Sequence, residues 1–410
     1  MKKTVLLFLI AISMVACHKY HDDPEPPAKD AEMTILMYMP WSKSGTNDNI
    51  YSYFLKNISG MKTAIEYERG LGNKRFLVLI ATNESRAYLI DIKYKNGACV
   101  NDTLKTYTSL TGGNYTSVAG LTSFFNDVKA EAPANSYALI IGSHACGWIP
   151  AGQEVGAKRH VSMARGASNE EDLPLIETRW FGNPSSETFQ ANISTLAAAI
   201  RNSFQHTEYI LFDDCYMSNI EVAYELKDVS DYLIASTCEV MLAGMPYATI
   251  GSSLMKKDYN GVAEGFYNFY KDYVNDQGDP RNYGTIGVTK LSEVQGMANI
   301  MKQINAQFTF DGDIEEIQRL DGYTPTIFFD MGDYVKLLCK DASLYSSFES
   351  QINKLVPYKR HTEKFFSQPS LRERYTIPIN AFSGITISDP SVNSSATNHK
   401  KTTGWWEATH

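Results

Sequence analysis

Two residues in this chain have the chemistry of a nucleophile and its proton carrier, and each stands just past an apolar run. Tyr137-Ala-Leu-Ile-Ile-Gly142 leads into Ser143-His144-Ala145-Cys146-Gly147-Trp148, and Tyr209-Ile-Leu-Phe212 leads into Asp213-Asp214-Cys215-Tyr216-Met217-Ser218. A thiol attacks carbonyl carbon as its thiolate, and an imidazole titrating near neutrality can take the thiol proton or protonate a leaving amine. Cys215 and His144 are distant in sequence but would meet if the two runs were neighbouring strands. Past Cys215, Met217, Ile220 and Tyr224 recur on one side of an apparent helix from Ser218 to Leu226, which predicts a thiol near a helix N-terminus. The partial positive charge there favours thiolate, whereas Asp213 and Asp214 disfavour a further negative charge. Cys146 is read as structural and Asp214 as orienting the loop.

The elements that must position this pair are strands alternating with helices. Thr34–Met39, Arg75–Ala81, Tyr137–Gly142, Tyr209–Phe212 and Tyr232–Ala235 are short, nearly continuous apolar runs, as expected of parallel strands covered on both faces. Between them Val118, Leu121, Phe125 and Val128 recur at helical spacing, as do Phe189, Ile193, Leu196, Ile200 and Phe204. The alternation predicts an α/β fold with helices on both faces of the sheet, whose ligands bind beyond the carboxyl ends of the strands. Tyr88 to Val100 reads instead as an antiparallel pair turning at Asn96-Gly97. Beyond residue 256 helical patterns cover Val262–Val274, Val294–Phe308, Phe329–Leu338 and Ser343–Val356, before a strand-like Gly384–Ser388. The domains read as a core over 32–255 and a mainly helical C-terminal subdomain, 256–410, packed on it. Trp405 and Trp406 are read as packing anchors.

With 410 residues, 43% of them hydrophobic and 20% charged, the composition is that of a soluble globular protein and excludes disordered, collagenous and multi-span membrane chains. The net charge of −8 and the lack of a basic stripe exclude nucleic acid as a partner. Cysteines at 17, 99, 146, 215, 238 and 339 show no C-x-x-C spacing, so neither a zinc knuckle nor a disulfide framework is indicated. Lys2 and Lys3 before the apolar run Val5–Val15 make residues 1–16 a signal peptide. Met14-Val15-Ala16-Cys17 resembles a bacterial lipobox, which implies lipidation at Cys17. Residues 17–31, with Pro24, Pro26 and Pro27, then read as a tether holding the domain at the cell envelope, on the outer membrane or cell surface.

Phe212-Asp213-Asp214-Cys215-Tyr216-Met217 followed by Glu221-Val222-Ala223-Tyr224-Glu225-Leu226 resembles the clostripain family of cysteine peptidases, whose pattern runs approximately F-D-A-C-L-M and then E-V-A-Y-E-L. Three further stretches agree: Ile35–Met39 with Asn47-Asp-Asn49 beyond it, His144-x-x-Gly147-Trp148, and Ala235-Ser236 leading to Gly244-Met-Pro-Tyr247. The resemblance spans about residues 32 to 250 in the family's order. It implies a caspase-like fold, with Cys215 as nucleophile and His144 as its partner. The oxyanion donors would be the backbone N–H groups of Cys215 and Ala145. Relatives usually carry glycine after the histidine, and a Cβ at Ala145 restricts positive φ.

Relatives prefer Arg or Lys before the scissile bond because carboxylates line the first pocket. Asp213 matches one such acid, and Ser236 and Glu239 fall with it in the expected substrate-binding region. Ala243 stands where a second acid is expected, and Met241 and Leu242 make that loop apolar, so an uncharged or larger residue competes as the preferred one. The family often matures by cutting itself, which points to processing after Lys158 or Arg159 in a polar insertion over 152–184. Family members can require calcium, but no EF-hand-like spacing places it here, so no metal ligand and no cofactor is assigned. The resulting expectation is a lipid-anchored cysteine endopeptidase acting on peptides or proteins. The alternative is a silent caspase-like lipoprotein that holds peptides or an assembly partner in the same cleft.

Overall fold

The computed structural model describes residues 30–40, 50–152, 181–182, 187–368 and 376–410. The signal peptide, Cys17, most of the tether, Asn47–Asn49, Lys158 and Arg159 lie outside the described residues. Residues Ala31–His410 make one compact unit.

In chain order, β1 (Ala31–Met39) and helix α1 (Ile50–Tyr67) precede β2 (Lys74–Asn83), β3 (Arg86–Lys95) and β4 (Ala98–Tyr107). Helices α2 (Gly112–Thr116) and α3 (Val118–Glu131) lead to β5 (Ala134–Gly142). A ribbon of two-residue strands follows: β6 (His144–Ala145), β7 (Phe181–Gly182) and β8 (Gln190–Ala191). Next come α4 (Ile193–Asn202), β9 (Thr207–Asp213), α5 (Ile220–Leu226) and β10 (Ser230–Ala235). Then α6 (Tyr247–Lys256) and α7 (Tyr259–Tyr270) precede β11 (Thr285–Lys290) and α8 (Val294–Asn305). The remainder holds β12 (Phe329–Asp330), α9 (Met331–Leu338), α10 (Ala342–Leu355), β13 (Tyr358–His361), β14 (Lys364–Phe366), β15 (Thr376–Pro378), β16 (Thr386–Ile387), α11 (Ser394–Thr397) and α12 (Gly404–Thr409).

Nine strands form the central sheet in the order β13-β11-β10-β9-β5-β1-β2-β3-β4. Its middle, β10-β9-β5-β1-β2, is parallel throughout, and both flanks are antiparallel. Alternate residues of the parallel strands feed two cores. Leu36 and Tyr38 of β1 join Leu121, Phe125, Leu196, Ile200, Val222 and Met297 on one face, packing α3, α4, α5 and α8 there. Ile35, Met37 and Met39 join Phe54, Met61, Ile250, Leu254 and Val262 on the other, packing α1, α6 and α7. Each such side chain, removed from water, contributes about 1.5–3 kcal/mol, so a continuous apolar run is stable only where both faces are roofed. α1 lies against α6 so closely that a Cβ on Gly60 would sit 3.0 Å from the Ala248 nitrogen.

The β3–β4 hairpin turns at Asn96 and Gly97, both with positive φ (52° and 88°), as a tight turn matching the strands' twist requires. The region beyond 256 is more closely integrated than a subdomain resting on the core: β11 and β13 extend the central sheet itself. Its α7, α8, α9 and α10 coincide with the four helical patterns to within a few residues. Among the described residues no helix is long and apolar enough to cross a membrane.

Candidate active site

β5 and β9 run side by side, and their last paired rung joins Gly142 to Asp213. His144 and Cys215 each lie two residues past that rung, just beyond the ends of two neighbouring strands. The His144 segment then turns into the ribbon, with His144 opposite Gly182 and Ala145 opposite Phe181. Ala145 is buried and outside the left-handed region. Positive φ falls instead at Gly147 (61°), where a Cβ would lie 2.8 Å from Asn219 Nδ2. The restriction feared at Ala145 therefore applies two residues later, at a glycine.

Cys215 keeps partial exposure and its sulfur accepts the Val240 N–H at 3.4 Å. Burial of the thiol, then the charge of Glu239, push its pKa well above the ordinary value, and Asp214 adds to the rise. The sequence placed Cys215 near a helix N-terminus; the structure corrects this. Tyr216 adopts a left-handed conformation (φ 60°), and α5 starts only at Ile220, capped by Asn219, whose Oδ1 accepts the Val222 N–H at 2.9 Å. A seven-residue helix that begins five residues beyond Cys215 supplies little field at the sulfur, because the effect fades within one turn. The turn after Cys215 is braced by distant residues. Ser218 Oγ donates to the Gly384 carbonyl at 2.9 Å, the Ser388 N–H donates to Glu221 Oε1 at 2.8 Å, and Tyr224 meets Trp405 edge-on at 6.1 Å.

Towards β10 the Cys215 segment is held by main chain: the Tyr216 N–H donates to the Cys238 carbonyl at 3.0 Å and the Ser218 N–H to the Ser236 carbonyl at 2.8 Å. Beneath these, Thr285 Oγ1 meets Ser236 Oγ (2.9 Å), the Thr237 N–H (3.1 Å), Thr237 Oγ1 (2.8 Å) and Cys238 Sγ (3.2 Å). Ser236 has no exposed surface, so it supports this loop from below and offers no surface for a substrate to touch. Glu239 Oε1 accepts from Tyr216 Oη (2.7 Å), Ser367 Oγ (3.0 Å) and the Gln368 N–H (2.9 Å), and burial raises its carboxyl to about 7.

Asp213 faces the opposite side of the sheet from Tyr216. Its oxygens accept the Met245 N–H (2.8 Å), Asn57 Nδ2 (3.0 Å) and Tyr247 Oη (3.0 Å), and burial outweighs these donors to raise the carboxyl to about 7. The loop wraps it closely: a Cβ on Gly244 (φ 69°) would lie 2.9 Å from the Asp213 oxygens. Tyr247 closes the Gly244-Met-Pro-Tyr247 stretch already noted in the sequence, whereas Asn57, Thr285 and Ser367 were not singled out there, since each lies far from Cys215 and His144 along the chain. Among the described residues no three His, Cys, Asp or Glu side chains assemble as a metal site.

The model of the clostripain family matches residues 43–312. A secreted C11 cysteine protease from Bacteroides thetaiotaomicron, iotapain, is 44% identical with a TM-score of 0.80, over 93% of this chain and 100% of its own. A clostripain from the same species, in complex with the peptide inhibitor BTN-VLTK-AOMK, is 53% identical with a TM-score of 0.52, over 56% of this chain and 99% of its own. An inactive zymogen C11 protease from Parabacteroides distasonis is 26% identical with a TM-score of 0.72, over 93% of this chain and 99% of its own. No curated protein sequence matches the chain significantly. The family match over most of the chain and the near-complete superposition on iotapain agree with the parallel sheet that ends at Cys215, and the chain belongs to the clostripain family of cysteine peptidases.

Proposed function

We propose that Cys215 and His144 form the catalytic dyad of an endopeptidase that cleaves after basic residues. The observation that carries this reading is the β5–β9 register, which sets both residues two positions beyond the rung Gly142–Asp213. Burial pushes the Cys215 thiol pKa up, and in this mechanism His144 takes the thiol proton as the sulfur attacks. The acyl-enzyme forms with cleavage of the C–N bond, the imidazolium protonates the departing amine, and water activated by His144 releases the acid. Backbone N–H groups of Cys215 and Ala145 would receive the oxyanion.

The basic preference rests on Asp213 below the nucleophile and on the similar clostripain, whose inhibitor peptide carries Lys beside its AOMK group. Ala243 in place of a second acid favours a weaker selectivity than two carboxylates would give. We also propose export with lipidation at Cys17, in keeping with a similar protease described as secreted, and self-processing after Lys158 or Arg159, in keeping with a similar chain described as a zymogen. Calcium stays an unplaced proposal, tested by adding a chelator to the active enzyme. The deciding experiment is iodoacetamide labelling of the purified protein. Selective alkylation of Cys215 with loss of peptide cleavage is expected, and a Cys215→Ala variant that cleaves like the wild type would remove the assignment.

A further inference from the structure

The two sides of Cys215 are joined to their neighbours differently. Beyond β9 the link to the β10 side continues as backbone hydrogen bonds, from Tyr216 to Cys238 and from Ser218 to Ser236. On the β5 side the ladder stops at Gly142 and Asp213. One residue further on, the Ser143 N–H donates to Asp214 Oδ1, so a side chain replaces the missing rung between the residue before His144 and the residue before Cys215. Asp214 is 1% exposed, and its Oδ2 is buried without a hydrogen-bond partner. Nothing in solvating this carboxyl requires it to be here, since burial and the adjacent Asp213 both disfavour its charge.

We infer that Asp214 is a positioning residue, a strut that fixes the spacing of the His144 and Cys215 main chains and thereby the geometry of proton transfer. The inference rests on the dyad proposed above. Misplacement of reacting groups by about 1 Å can lower rates roughly 10²-fold, so a lost strut acts on turnover more than on binding. Asn at this position keeps a carbonyl that accepts the Ser143 N–H, loses the charge and puts an amide NH2 where Oδ2 stands; Ala loses the acceptor altogether.

The test compares Asp214→Ala and Asp214→Asn in the full chain, with Cys215→Ala as the control for the dyad itself. Asp214→Ala should lower kcat about 10- to 100-fold with KM within about twofold of the wild type, and Asp214→Asn should restore kcat to within about threefold. Melting temperature and the rate of Cys215 alkylation, measured on all variants, show whether the fold and the thiol's access are kept. Wild-type kcat in a folded Asp214→Ala, or equal losses in the Ala and Asn variants, would overturn the strut. If Cys215→Ala itself stays active, the dyad fails, whatever the Asp214 variants do.

Discussion

On the β10 side of Cys215 the loop from Ser236 to Tyr247 is moulded around fixed partners, with Thr285 below it, Asp213 within it and Glu239 tied to Tyr216 and Ser367. On the β5 side His144 sits in a two-residue strand, linked to the nucleophile's segment through Asp214. The first wall has the dense satisfied polar network expected of a surface that selects a side chain, because preorganised groups lose little freedom on binding. The second wall is also held from far along the chain, with Trp148 Nε1 donating to Ser388 Oγ at 2.8 Å and Cys146 Sγ 3.7 Å from Tyr323 Oη, and in the proposed mechanism it carries the imidazole that receives and returns a proton. In the proposed mechanism selection and proton transfer are thus carried by opposite neighbours of one strand.

The largest effects should come from the sulfur and the imidazole. Cys215→Ala should abolish peptide cleavage, and His144→Ala should lower kcat/KM by about two or more orders of magnitude, the scale of a lost acid–base group. Unaltered turnover of the His144 variant would break the division of labour between the walls. Next in size, Asp213→Asn should reduce the preference for Lys over norleucine before the scissile bond by roughly tenfold, the lower end of what loss of a charge-assisted pair worth about 1.5–3 kcal/mol gives. In the wild type, cleavage after Lys should also rise as pH passes about 7, where Asp213 ionises, whereas norleucine peptides lack that rise. Equal pH profiles for both peptides would place the selecting charge elsewhere.

Thr285→Val should lower stability by about 1–3 kcal/mol, since it leaves the buried Thr237 N–H without its acceptor. The urea midpoint should fall while kcat changes by less than about threefold. A large kcat loss at unchanged stability would show that this wall also governs chemistry.

The smallest effect concerns pH and the whole fold. Asp213, Glu239, Asp321 and Asp389 are raised to about 7 and Glu221 to about 8, each by burial first. Unfolded carboxyls titrate near 4, so between about pH 4 and 8 the native state binds more protons and stability falls as pH rises. The half-buried Glu68 and Glu293 and the exposed Asp102 have lowered values, so the stability they contribute is lost only as pH falls towards about 4 and below. Calorimetric melting temperatures should decline by about a few degrees from pH 5 to pH 8. A rise over that range would mean that these carboxyls are not desolvated as the structure places them.

The parallel strands were legible because double burial leaves an unbroken apolar run, and the hairpin because Asn96-Gly97 tolerates two left-handed residues. β13 escaped notice. Its Tyr358-Lys-Arg-His361 is only half-buried at the sheet's edge, and its partner β11 lies far back in the chain. Pairing of that kind is set by tertiary context and leaves little local pattern. The same holds within the site. His144 and Cys215 stand in recognisable motifs, but Asn57 on α1 and Thr285 on β11 serve the loop through folding alone. The start of α5 was misread because apolar spacing continues through Met217, while the left-handed Tyr216 and the capping Asn219 delay the helix.

The bracing of the turn after Cys215 by Gly384, Ser388 and Trp405 also bears on how the molecule is made. These supports are among the later residues to leave the ribosome, so a nascent chain already displaying its thiol lacks the props that hold it in place. A chain translated only as far as Cys215 therefore holds its thiol in a turn that still awaits Gly384, Ser388 and Trp405.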